Sequence, residues 1–411
     1  MNPAVIALFA AVSGCTPARS GPPAEAARTR EKVLHSFGDG TDGVLPHGIL
    51  LDVNGTLYGT TSEGGASDAG TLFALDPDTG KETLLHSFDY TDGGYPDGGL
   101  IDVKGMLYGT TYFGGSGGCG TGCGTVFAFD PGTGAEQVLH SFGVGTDGEY
   151  PDAGLVAVNG MLYGTTRQGG TGLNGSGRGT VFAIDRKTGA ETVLYSFCSQ
   201  GGQYCTDGAL PQGDLIDVNG ILYGTTTSGG ANCEADGGCG TLFSLDPESG
   251  AETVVYSFCR WSAHGACTDG WGPFSGLVNV QGKLYGTTVS GGSKGGWGTV
   301  YSFDTITGKE RVLHSFSDAN GAYPYAGVID ASGMLYGTTP FGGRNGGGTV
   351  YSVDPNSGAT RVVYSFPSCN LPPCPNGSEP LAGVIAVNDM LYGTTLDGGT
   401  ANLGTAFRVR P

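Results

Sequence analysis

Leu-Tyr-Gly-Thr-Thr occupies Leu57–Thr61 and returns at Leu107, Leu162, Leu222, Leu284, Leu335 and Leu391. Successive copies start 50, 55, 60, 62, 51 and 56 residues apart. A motif that persists while its spacing drifts marks a fixed supersecondary unit with loops of variable length. A length of 411 residues would by itself allow two or three domains. Seven copies of one unit argue instead for a single ring or array.

One unit, Pro96–Phe142, shows the pattern. Gly99–Val103 is a short apolar run, and Lys104-Gly105 follows it. The counterparts of that pair are Asn54-Gly55, Asn159-Gly160 and Asn219-Gly220. Asn-Gly between apolar runs predicts a hairpin with positive φ at both turn positions. Met106–Thr111 is the second strand, followed by a glycine-rich loop. Gly124–Asp130 is the third strand, Pro131–Gly134 a tight turn and Ala135–Phe142 the fourth strand. A loop carrying Thr-Asp-Gly and a proline leads to the next unit.

Seven four-stranded antiparallel units predict an all-β, seven-bladed β-propeller, with an open β-solenoid as the alternative. The chain ends favour the ring. Repeat material begins with a fourth strand at Glu31–Phe37 and ends with a third strand at Gly404–Arg410. Strand 31–37 therefore completes the last blade, and closure removes the exposed edges of an open array.

Eighty glycines without a G-X-Y period exclude collagen, and recurring aromatic and β-branched residues argue against disorder. A net charge of −19 without a basic cluster argues against nucleic acid and against adsorption to an anionic bilayer.

Residues 1–15 have the character of a signal peptide, too short to span a membrane, with Val12-Ser13-Gly14-Cys15 resembling a bacterial lipobox. Lipidation at Cys15 would anchor the protein, although the segment before it carries no Lys or Arg. An ordinary secretory signal is the alternative. Residues 16–30 form a Pro-, Ala- and Arg-containing tether, and 31–411 the propeller. The other ten cysteines form close pairs: Cys119/Cys123, Cys198/Cys205, Cys233/Cys239, Cys259/Cys267 and Cys369/Cys374. Local pairs behind an export signal predict disulfides. Zinc is disfavoured by variable spacing and the absence of accompanying His.

The recurring pattern P-x-x-G-L-I-x-x-x-G-x-L-Y-G-T-T-x-x-G-G…G-T-V-F-x-x-D-x-x-x-G-x-E-x-V-L-x-S-F resembles the bacterial GloVer tandem-repeat family over residues 31–411. The resemblance implies export and repeat architecture. It implies no established activity and transfers no catalytic residue. The last unit departs most, lacking Thr-Asp-Gly and carrying Asn388-Asp389 in place of Asn-Gly.

Function is expected on the face formed by the loops after strands two and four. Those loops are long, variable and hold all five cysteine pairs, whereas the turns on the other face are uniform. The residue after each leading proline varies: His47, Asp97, Asp152, Gln212, Phe274, Tyr325 and Leu381. So do positions opening the glycine loops, among them Glu63, Tyr112, Phe113, Arg167, Gln168, Phe341 and Asp397. Carboxylates, amides and aromatic planes around one mouth suit a glycan or another polar ligand; ordinary solvated loop residues are the plain alternative. The ligand-binding candidates are His47, Glu63, Asp97, Tyr112, Asp152, Arg167, Gln212 and Tyr325.

The periodic slot of His35, His86, His140 and His314, shared with Tyr195, Tyr256 and Tyr364, is expected to be architectural. The Asp-Gly at Asp42, Asp92, Asp147, Asp207 and Asp269 is expected to make turns rather than bind calcium. G-x-S-x-G at Gly114 and Gly291, and G-x-G-x-x-G at Gly38, Gly143 and Gly170, open no helix and carry no nucleophile or phosphate site. The sequence therefore points to an extracytoplasmic monomer that binds a glycan or envelope protein without chemistry. It is expected to use no cofactor or metal, and to touch the membrane only through a lipid anchor. A hydrolase or lyase acting on an extracellular polysaccharide or small metabolite is the alternative, with His47, Asp97 and Asp152 as the acid–base candidates. A scaffold within an envelope complex is a third.

Overall fold

Seven four-stranded antiparallel sheets make up the computed structural model of the protein. It describes residues 31–411 apart from 39–40, 173–176, 201–204, 233–237, 261, 264–265 and 370–373. The expected signal segment, Cys15, the tether and Cys233 lie outside the described residues.

Blade one is typical. Leu51–Val53, Thr56–Thr61, Thr71–Leu75 and Glu82–Ser87 pair in sequence order. The two-residue turn between its first strands has φ of 54° at Asn54 and 85° at Gly55, and even Asn388 and Asp389 adopt positive φ, 49° and 60°. The last blade takes Ile385–Val387, Met390–Thr395 and Thr405–Val409 from the C-terminal end and its outer strand, Glu31–Ser36, from the N-terminal end. Glu31 pairs with Val409 and Ser36 with Thr405. The first strand of each blade touches its neighbours around the axis, and Ile385–Val387 meets Leu51–Val53. The propeller is closed, and the open solenoid is excluded.

Each letter of the motif has a physical task. The Leu is fully buried in all seven copies. The Gly lies beneath the third-strand aromatic ring: a Cβ on Gly164 would sit 2.5 Å from Phe182 and 2.9 Å from Leu155. The second Thr bonds the third-strand Thr of its own blade, as in Thr111–Thr125 and Thr166–Thr180, both 2.8 Å. In four blades the first Thr reaches the next, as Thr110 Oγ1 donating to the Ala153 carbonyl and Thr338 Oγ1 to that of Ala382, both at 2.8 Å, while the buried Oγ1 of Thr60, Thr165 and Thr394 makes no hydrogen bond.

Two further layers weld neighbouring blades. The Phe ending each fourth strand is fully buried and packs on the third-strand aromatic of the next blade. Phe88–Phe127 lie 5.2 Å apart, Phe366–Phe407 5.0 Å and Phe37–Phe73 5.1 Å. Burial of each such ring contributes about 2 kcal/mol. The second layer is polar. His35, His86 and His140 contact Asp42, Asp92 and Asp147 at 2.9, 2.8 and 3.2 Å. Tyr195 and Tyr256 donate to Asp207 and Asp269 at 2.8 and 2.7 Å. The other carboxylate oxygen of Asp42, Asp92 and Asp147 accepts backbone N–H groups, so these aspartates fasten a turn to the outer strand. A glutamate from the following blade, such as Glu136 beside His86 and Asp92, completes each cluster. His314 is the exception, held by Asn320 and Thr360 at 3.0 and 2.8 Å.

Disulfides Cys119–Cys123, Cys198–Cys205, Cys259–Cys267 and Cys369–Cys374 pin loops of the variable face. Cys239 is also disulfide-bonded. Such cross-links point to an oxidising, extracytoplasmic compartment. Among the described residues no helix is long and apolar enough to cross a membrane.

Candidate functional site

The residue before each leading proline sits in the left-handed region. Leu45, Tyr95, Tyr150, Leu210, Tyr323 and Glu379 have φ of 56°, 56°, 61°, 56°, 56° and 58°, and Gly272 has 65°. For a non-glycine residue this conformation costs roughly 1 kcal/mol. Its repetition in every blade marks a built turn. The residue one step earlier bridges antiparallel to the segment following Thr-Thr: Val44 to Glu63, Gly94 to Phe113, Ala209 to Ser228, Trp271 to Ser290 and Ala322 to Phe341. Glu149–Gln168 and Ser378–Asp397 do the same in the remaining blades. The proline then redirects the chain toward the axis.

All seven post-proline side chains consequently line one cavity of about 910 Å³ at the mouth of the ring. Tyr112, Phe113, Arg167 and Phe341 join them. Of the eight binding candidates read from the sequence, His47, Asp97, Tyr112, Asp152, Arg167, Gln212 and Tyr325 come together there. Glu63 does not line it. Its backbone is tied to Val44, and its neighbour Ser62 reaches Asp97.

The mouth has two unlike sides. Blades one to four contribute His47, Asp97, Asp152 and Gln212; blades five to seven contribute Phe274, Tyr325 and Leu381. On the polar side Ser62 Oγ donates to Asp97 Oδ1 at 2.5 Å, and His47 Nδ1 lies 4.0 Å from the same oxygen. Gln212 Nε2 donates to Asp152 Oδ2 at 2.7 Å. Arg167 Nη1 donates to the Tyr112 hydroxyl at 3.3 Å, and Tyr112 stacks on Tyr150 at 5.1 Å. On the apolar side Phe274 and Tyr325 meet edge to face at 5.3 Å.

Asp214 is the lining residue that sequence reasoning missed. It stands two residues after Gln212, at a position held elsewhere by Gly99, Gly154, Gly276, Gly327, Gly383 and Ile49. Aligning the units slot by slot would have exposed it as a lone carboxylate. Its Oδ1 accepts the Gly154 N–H at 2.6 Å. Burial raises its pKa above the usual carboxylate range; the Gly154 N–H counteracts this and nearby Asp152 adds to it. Burial also raises Asp97, against His47 and the Ser62 hydroxyl, with Asp152 and Glu63 pushing the same way as burial. Groups of this kind, in a cleft and with perturbed ionisation, are candidates for function. Among the described residues the three-ligand clusters close enough to hold a metal lie elsewhere, including His86, Asp92 and Glu136 between blades.

The fold is shared with solved structures. An oligogalacturonate lyase in complex with manganese matches with a TM-score of 0.51 at 13% identity, covering 87% of this chain and 86% of that one. An oligogalacturonate lyase from Vibrio parahaemolyticus matches at 0.52 and 10%, covering 93% and 94%. The extracellular domain of a candidate one-component system from B. thetaiotaomicron matches at 0.53 and 9%, covering 92% of this chain and 40% of that one. At these identities the likeness concerns the fold alone. No curated protein matches the sequence. The Gloeobacter/Verrucomicrobia repeat matches residues 24–236, 122–268 and 234–411, and the chain belongs to that repeat family.

Proposed function

We propose that the protein is an extracytoplasmic binding module that takes a glycan at the mouth of its ring. One observation carries this reading: the post-proline position, which holds six residue types in seven repeats, is a position the fold directs into a shared cavity. Scaffold residues stay constant while the seven post-proline side chains take six identities, as binding residues do on a rigid frame. Hydrogen-bonding groups face an aromatic wall, which matches the hydroxyls and C–H faces of a sugar. Anchoring through Cys15 fits an envelope location. Labelled palmitate should enter the wild type and be absent from a Cys15→Ser variant; equal labelling would refute the anchor.

Incubation of the purified protein with a polysaccharide panel, reading both retention and released products, tests the binding reading. Retention without product is expected, weakened tenfold or more, about 1.4 kcal/mol, by Phe274→Ala. A second reading, a hydrolase or lyase, draws support from the His47–Asp97 approach and the raised Asp97 and Asp214. Released sugars that disappear in Asp97→Asn would establish that reading in place of the first.

A further inference from the structure

We infer that the glycan carries positive charge: the mouth suits an amine-bearing saccharide better than a neutral or acidic one. This rests on the mouth being the ligand site. Asp97, Asp152 and Asp214 line one side of it. Their hydrogen-bond partners are the neutral Ser62 hydroxyl, the Gln212 amide and the Gly154 N–H. Among the described residues no Lys or Arg forms an ion pair with any of the three, and His47 approaches only Asp97, at 4.0 Å. Arg167 lines the same cavity but spends its contact on the Tyr112 hydroxyl.

Carboxylates drawn together in a half-enclosed cavity are opposed by desolvation and by one another. A cationic ligand supplies the missing countercharge; a neutral sugar leaves the opposition in place, and a uronate increases it. The opposite wall independently favours the same ligand. Phe274 and Tyr325, set edge to face, stand with Phe341 across the cavity. Aromatic faces attract the C–H surface of a pyranose and also an ammonium group. The chain's net charge of −19 extends the attraction beyond the mouth.

Protonation links to binding. The groups facing Asp97 and Asp214 are His47, Glu63 and Asp152, with Arg167 and Glu379 also at or beside the mouth. Because burial raises Asp97 and Asp214, both take up protons on acidification sooner than ordinary aspartates, and cation affinity falls.

Calorimetry on the full chain with three hexasaccharides tests the inference: glucosamine, N-acetylglucosamine and galacturonate oligomers. The glucosamine oligomer is expected to bind at pH 7 about tenfold or more tightly than its acetylated counterpart. That preference should shrink in 1 M salt, which screens charge within about 3 Å. It should vanish in Asp97→Asn/Asp152→Asn. The salt and acetylation comparisons use the wild type, so they stand even if the double variant misfolds. Equal or tighter binding of the acetylated oligomer, or tighter binding of the uronate, overturns the charge inference and leaves the mouth a sugar site. Binding of none overturns both.

Discussion

Deleting residues 31–37 is expected to abolish cooperative folding. The deletion leaves Thr405–Val409 unpaired along one edge and removes the buried Phe37, which packs on Phe73 of blade one. The loss should exceed about 5 kcal/mol, comparable to the whole stability of an ordinary domain. Gel filtration should show aggregates, because an unpaired strand edge templates association. Returning the same seven residues behind Pro411 through a short linker should restore a sharp melt, since the strand would reach the same edge from the other direction. A deletion variant that melts like the wild type would mean the ring does not depend on its clasp.

The second large effect is on pH. Burial pushes Glu31, Glu82, Glu136, Glu252 and Glu310 from 4.5 up to about 7, and raises Glu191 as well. A neighbouring aspartate adds to the rise for five of them: Asp42 for Glu82, Asp92 for Glu136, Asp147 for Glu191, Asp207 for Glu252 and Asp269 for Glu310. A group that binds its proton more tightly when folded contributes stability in full below its unfolded pKa. It loses that contribution as pH rises through the folded one. The melting temperature should therefore fall from pH 5 to pH 8. Glu31 is buried and the other five carboxyls are partly exposed, so screening reduces each of those five sites to about 1 kcal/mol or less. Six sites still give a shift of several degrees.

The turn aspartates Asp76, Asp130, Asp185, Asp246, Asp304 and Asp354 act oppositely. Backbone N–H groups, or in Asp130 and Asp246 a Thr or Ser hydroxyl first, hold them below 3.8. Their contribution disappears on acidification below that value. Maximum stability should thus fall between about pH 4 and 6. Replacing Glu82, Glu136 and Glu252 by Gln should flatten the alkaline limb. An unchanged slope in that triple variant would contradict the account.

Ring closure and blade count were legible because they depend on strand order and phase, which the motif displays along the chain. The mouth was legible because a proline marks the same register seven times. What escaped were contacts between blades. His86 shows in sequence as an outer-strand residue, but Glu136 meets it only after folding places the two in adjacent blades. The Phe88–Phe127 contact was hidden for the same reason. The left-handed Tyr95 and Tyr150 run against the extended conformation expected before proline. Only the bridge pairing that straps the loop to the segment after Thr-Thr explains them.

The post-proline position also separates the frame of the ring from the lining of its mouth. Each blade sends its post-proline side chain into the mouth from a loop outside its four strands. Point changes at these seven addresses, one per blade, would therefore alter the lining of the mouth while leaving the strand pairing and the buried Phe contacts between blades in place. Related chains with different residues at these addresses would keep the same ring and present a different mouth.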